Sequence, residues 1–449
     1  MVWRRHITRR FLIRWLLGAV LALLLVCGAW TPVCLWRFQV AITAPDVGRA
    51  EVWLDRADTF PWTAGERAFW RARLSRQLGR MEAYAASIEH AQRAGFPVKQ
   101  LQREDLLRRA QSGDLAPLEA QISDLLIRGE DLPAICDAYV GGCIQQYRIE
   151  DALRVLQLWQ DDFPVDPQPH FLRGRLFEHR GALGEAETEY REALRIAPRH
   201  APAAYNLARI LLQKQAPAQA LEAYRIAAEG LFESQPGLVG IARCQRELNQ
   251  WDAARDTLQQ AVARPIDRLV EAYRYLGEQS EAALAQVPAE MAQLEIATSH
   301  DEEAVTWLQH ALEAYPQDWK LRYTYSTTLA RLGRTAEAQA ESARSQTSRV
   351  AFESCDRLMD RLNQNPADLE ARYEVGCVLL EHFSVNQGLV WLNSVLAYDP
   401  HHRAAHARLA EYFSAHASEN AEFPKLAEQH RQAALAEERS IPAEQGSSP

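Results

Sequence analysis

The sequence predicts an all-α solenoid of stacked helix pairs behind one transmembrane helix. Three observations lead there. Small residues and aromatics recur every 34 residues, strand patterns are nearly absent, and 22 uncharged residues run from Trp15 to Trp36. Composition agrees: 47% hydrophobic and 24% charged residues over 449 positions exclude a wholly disordered chain. A net charge of −9 argues against a broad nucleic-acid-binding face. Mean hydropathy of −0.32 excludes a polytopic membrane protein but leaves room for one anchor.

Residues 1–14 are basic, with Arg4, Arg5, Arg9, Arg10 and Arg14. The uncharged run 15–36 would span about 33 Å as a helix, close to the hydrocarbon thickness of a bilayer. Trp15 and Trp36 stand at its ends, where indole rings favour the headgroup region. Downstream only Arg37 is near. The arginine imbalance puts the N-terminus in the cytoplasm and the repeats outside, on the periplasmic side of a bacterial inner membrane. The competing reading is a cleaved leader ending near Cys27-Gly28-Ala29, or a lipoprotein site at Cys27. The apolar run continues to Trp36, and Val26 is bulky for a lipoprotein site, so both observations favour the anchor.

From residue 46 onward, alanine, leucine and arginine dominate, and apolar residues recur at three- and four-residue steps. Breaks such as Ala197-Pro198, Gln235-Pro236-Gly237, Tyr315-Pro316 and Asp399-Pro400 punctuate the helices. Four columns repeat at 34: Gly174, Ala208 and Ala242; Ala186, Ala220 and Ala254; Tyr190, Tyr224 and Leu258; Ala193, Ala227 and Ala261. A small residue in the first helix of a pair admits the second, and the aromatic fills the space toward the next pair. The spacing breaks twice: Ala254 to Ala304 and Ala338 to Gly388 are each 50, with room for an extra helix near 267–286 and 350–364. A short helix around Ala50, Leu54 and Ala57 would cap the array, and Leu426 to Ala436 would close it. Residues 438–449 read as a polar, disordered tail.

This pattern resembles the tetratricopeptide repeat, which has the same period. Residues 167–200 match best, with Gly174, Phe177, Ala186, Tyr190, Ala193 and Pro198. The family's tryptophan and leucine positions are held by His170 and Arg173. The resemblance covers most of 46–437 and is sharp over 133–266. It implies a right-handed solenoid whose concave groove binds another protein.

Catalytic motifs are missing: there is no phosphate loop, nucleophile elbow or kinase signature. His402 and His406 have zincin spacing, but Arg403 stands where the general-base glutamate belongs. Cys136 and Cys143, seven apart, lie beyond disulfide reach on one continuous helix, and a bridge would need a break at Gly141-Gly142. No cofactor, metal or small-molecule substrate is expected, and the chain reads as a noncatalytic scaffold. An assembly subunit of envelope, secretion or biogenesis machinery is the alternative, and an enzyme on a solenoid frame ranks last.

One column carries a site. Arg175, Arg209 and Arg243 are 34 apart, one residue after the small-residue column. The resemblance makes this a groove-facing position, with Phe171 and Tyr205 flanking the same face. Such a ladder suits carboxylates of an acidic peptide or a C-terminus. Of the family's carboxylate-clamp positions only Asn206 matches, so a chaperone-tail clamp is not supported.

Overall fold

The computed structural model describes residues 33–37, 47–57, 64–129, 131–277 and 280–435. Among them there is helix and turn but no strand. The expected span 15–36 therefore lies, up to residue 32, outside the described residues, as does the tail from 436. No helix among the described residues is long and apolar enough to cross a membrane.

A short helical stretch at 33–37 (α1) and α2 (Val47–Arg56) lead into ten helix pairs. The first three are α3 (Ala64–Gln77) with α4 (Met81–Arg93), α5 (Val98–Gln111) with α6 (Glu119–Arg128), and α7 (Leu132–Gln145) with α8 (Ile149–Asp162). The sharp repeats, which begin with α7–α8, continue as α9 (Gln168–His179) with α10 (Leu183–Ile196), α11 (Ala201–Gln213) with α12 (Pro217–Gly230), and α13 (Gln235–Glu247) with α14 (Trp251–Val262). A lone helix α15 (Leu269–Leu276) and a 3-10 turn over 280–285 then interrupt the series. It resumes with α16 (Gln286–Ala297) and α17 (Asp301–Ala314), and with α18 (Trp319–Arg331) and α19 (Thr335–Gln364). The last pairs are α20 (Leu369–His382) with α21 (Val385–Tyr398), and α22 (Arg403–Ala415) with α23 (Phe423–Leu435).

The period is written in the turns. Residues with positive φ inside the pairs are Gly79, Gly113, Tyr147, Gly181, Gln215 and Asn249, each 34 after the last, then Ser299 and Gly333. After each, the next N–H reaches back to the first helix, as in Ala182 N to Phe177 O and Ala216 N to Leu211 O, both 2.9 Å. That bond satisfies carbonyls the helix end would leave orphaned and reverses the chain in three residues.

The four columns form the seams. Gly174, Ala186, Ala193, Ala208, Ala220, Ala227, Ala242, Ala254 and Ala261 are buried, with Tyr190, Tyr224 and Leu258 between them. A methyl group on Gly174 would come within 2.6 Å of the Tyr190 ring, and one on Gly240 within 2.3 Å of the Tyr224 ring. Tyr224 thus fills the gap toward the next pair, as the repeat logic requires.

Two departures matter. At the first spacing break a separate helix forms, as expected. At the second none does: residues 350–364 simply continue α19, which reaches 30 residues. The reason is that no Pro or Gly stands between Gly333 and Pro366, so nothing ends the helix. The chain also returns on itself. Fully buried Arg372 on α20 donates to Gln146 O at 2.7 Å and Tyr147 O at 3.4 Å, tying α20 to the α7–α8 turn.

Candidate functional site: the inner face of the repeats

The first helices of the pairs form one face, and α15 lies on it. Leu269, Ala272, Tyr273 and Leu276 are buried at steps of three and four, so α15 has one apolar stripe. Its C-terminal end is received by two residues of the predicted site. Asn206, buried, donates to Leu276 O at 3.2 Å. The Arg175 guanidinium lies against Gly277, where a methyl group would come within 2.7 Å of it. Gly277 has φ +86°, the left-handed cap that ends α15. A cation beside a helix C-terminus meets the negative end of its dipole.

The other side of α15 meets the N-terminal units. Arg274 donates to Gly79 O at 3.1 Å, and Arg80 pairs with Glu271 at 2.6 Å. Arg268 bonds Glu51 and stands over the Phe232 ring, 4.7 Å from its centroid. The helix is therefore clamped between α2 and the α3–α4 turn on one side and α9–α13 on the other.

The remaining arginines are internally engaged. Arg209 contacts Asn206 Oδ1 at 3.0 Å and Glu178 Oε1 at 3.3 Å. Arg243 and Arg246 share the buried Glu290 of α16, at 2.9 and 2.7 Å. Burial pushes the Glu290 carboxyl up, but the two guanidiniums outweigh it and hold it below the usual carboxylate range. Arg209 and Arg243 nonetheless border one hollow of about 580 Å³, with Tyr224 and Glu247. Arg243 also borders a second hollow of about 290 Å³, with Arg246, Glu290, Asp318 and Lys320.

Phe171 and Tyr205 need correction. They are 4% and 7% exposed and sit inside the seams, not beside the arginines on the open face. Phe171 packs on Tyr190 and His200, with ring centroids 6.0 and 5.2 Å apart, and Tyr205 meets Tyr224 edge-on at 5.5 Å. Four residues is a little over one helical turn, enough to swing the side chain from groove to seam. Burial lowers the His200 imidazole to about 4, and its Nδ1 accepts from Ala203 N–H, capping α11.

The other candidates resolve plainly. Cys136 and Cys143 are separate buried thiols, each pushed up to about 12 by burial. His402 caps α22 by accepting from Ala405 N–H at 3.2 Å, while His406 pairs with His430 of α23 at 2.8 Å. Among the described residues no group of three His, Cys, Asp or Glu could hold a metal ion. The residues the sequence reading missed are Glu290, Arg246 and Lys320. Glu290 carried no clear signal, because α16 also holds Gln286, Gln293 and Glu295.

Comparison with known proteins locates the chain only loosely. No protein-family model matches it, and no curated protein matches it. Among solved structures it is similar to MamA, at 14% identity over 39% of this chain and 94% of that one, with a TM-score of 0.30. It is similar to YrrB, described as a TPR protein with an unusual peptide-binding site, at 18% identity over 48% and 95%, TM-score 0.25. The Cut9-Hcn1 hetero-tetramer of APC/C is similar over 89% of this chain and 76% of that one, at 13% identity and a TM-score of 0.43.

Proposed function

We propose that this protein is a membrane-anchored, noncatalytic scaffold that holds a segment of another protein on the inner face of its repeats. The observation that carries the reading is the hollow bordered by Arg209 and Arg243, one repeat apart. It lies beside the place where α15 already rests its carbonyl end on Arg175 and Asn206. The face thus has an internal example of what it accepts: a short helix whose negative end meets arginine. An acidic segment suits the neighbouring hollows, with Arg246 and Lys320 at the second. The uncharged run that begins at Trp15 and the arginines before it support an anchor in a bacterial inner membrane with the repeats on the periplasmic side, although the last turn of the expected span 15–36 packs on the body through Cys34 and Leu35.

The test is co-purification of the full chain from detergent-solubilised membranes. Arg243 holds a buried carboxylate, so replacing it would disturb the fold as well as the face. Arg209→Gln with Lys320→Gln is the cleaner probe. Arg191→Gln with Arg225→Gln is the control, because those side chains are half exposed on second helices of their pairs. A partner retained by the control and lost by the probe, more so at high salt, supports the reading. Equal retention by both rejects the inner face as the binding site.

A further inference from the structure

We propose that the face carrying Val33, Trp36, Arg37, Val52, Trp53 and Arg56 is where the solenoid rests on the headgroup layer of a phospholipid bilayer. The inference rests on the anchor reading of the preceding run and says how the body sits relative to it. The run stays uncharged to Trp36, but Cys34 and Leu35 of its last turn are buried in the body, which leaves 15–32 to cross the hydrocarbon. At a rise of 1.5 Å per residue, Trp36 stands about 6 Å beyond that stretch, at headgroup depth if the stretch crosses the hydrocarbon.

The helical stretch α1 has two sides. Cys34 and Leu35 are buried, packed with Leu54 of α2 and with Leu74 and Leu78. Val33 and Trp36 point away and are 42% and 56% exposed. On α2, Val52 is 48% exposed and Trp53 beside it is half-buried, and Arg37 lies by the rings of both Trp36 and Trp53, which joins the two helices on this side. The body is therefore stitched to the end of the run through a packed contact.

The chemistry of the face is that of a lipid interface. Arg37 lies 5.2 Å from the Trp36 ring and 5.9 Å from the Trp53 ring, and Arg56 lies 4.8 Å from Trp53. Indoles favour the headgroup region, and arginines among them can reach lipid phosphates. Of the carboxylates nearby, Glu51 is turned inward to Arg80 at 2.7 Å and to Arg268, and Asp55, though exposed, is paired with Arg71 at 3.0 Å.

The experiment reconstitutes the full chain into phosphatidylcholine–phosphatidylglycerol vesicles doped with phosphatidylglycerol bearing a photoactivatable group near the phosphate. Labelled peptides are mapped by mass spectrometry. Labelling of 47–57 should exceed that of 403–435 about tenfold, and Trp36→Glu with Val52→Glu should remove the excess while the chain stays in carbonate-washed vesicles. Both replaced side chains are exposed, so the fold should persist by circular dichroism. If 47–57 is labelled no more than 403–435 while the chain resists carbonate, the body stands off the bilayer and the inference fails with the anchor intact. If carbonate releases the chain, the anchor reading fails and takes the inference with it.

Discussion

The two spacing breaks begin from the same arithmetic and end differently. Each adds 16 residues to the 34-residue period. The first, between α14 and α16, leaves the stack, and its eight-residue helix α15 crosses the inner face. The second stays in line and makes α19 a 30-residue helix. Punctuation decides between them. Pro265 and Gly277 bracket α15, whereas no Pro or Gly interrupts α19. Burial follows the same logic. Alpha15 concentrates four buried side chains in one stripe, while α19 spaces its buried residues widely, from Ala338, Ser345 and Ala351 to Leu358 and Leu362. An insertion in a solenoid is thus a choice between a new contact and a longer strut, and a few residues make it.

The strongest way to break the contrast is to give α19 the punctuation it lacks. Thr347 is exposed in mid-helix. Thr347→Pro should cost about 3 kcal/mol and bend α19, weakening the docking of α20 on the α7–α8 turn. Thermal unfolding and small-angle scattering would report it as a lower Tm and a larger radius of gyration. An unchanged radius would mean that the strut does not position α20.

A smaller effect is expected from Gly277→Val. A β-branched residue in a left-handed cap costs roughly 1–2 kcal/mol. The Arg175 guanidinium would also have to move aside. Local exchange around α15 should quicken while the seams of α11 and α12 hold. Equal destabilisation everywhere would show that α15 is integral to the stack.

The smallest is a pH effect just beyond the first break. The folded-state carboxyl of Glu290 is depressed by Arg243 and Arg246, against the opposing push of burial. Its stabilisation is therefore present above the ordinary glutamate value of about 4.3 and is lost as pH falls through the lower folded value. The Tm difference between wild type and Glu290→Gln should be full at neutral pH and close below about 4. A difference that stays constant to pH 3 would contradict the pairing.

The helix pairs were legible because small residues must recur wherever helices touch. Gly174, Ala186 and Tyr190 are visible as columns for that reason. The turn column was not. Gly79, Gly113, Gly181 and Gly333 mark it, but Tyr147, Gln215, Asn249 and Ser299 fill the same backbone position. Backbone hydrogen bonds impose the left-handed turn there, so side-chain type carries little signal. The arginine column was visible, and its neighbours were misplaced: a stagger of four put Phe171 and Tyr205 into the seams. Where α15 goes, and what Arg372 holds, could not be read at all. Leu276 meets Asn206 across 70 residues, and Arg372 meets Tyr147 across 225, and no local pattern encodes such partners.

The central claim is that α15 lies docked on the inner face, its end held by Arg175 and Asn206. Eight residues are too few to stay helical alone in water, so protection of α15 can come only from docking. Hydrogen–deuterium exchange of the full chain, read over the peptide 269–277, tests this directly. The docked structure requires protection of these amides well above that of an unstructured peptide, and a clear loss of it in Asn206→Ala. Exchange of 269–277 at the unstructured rate, with α11 and α13 still protected, would contradict the account.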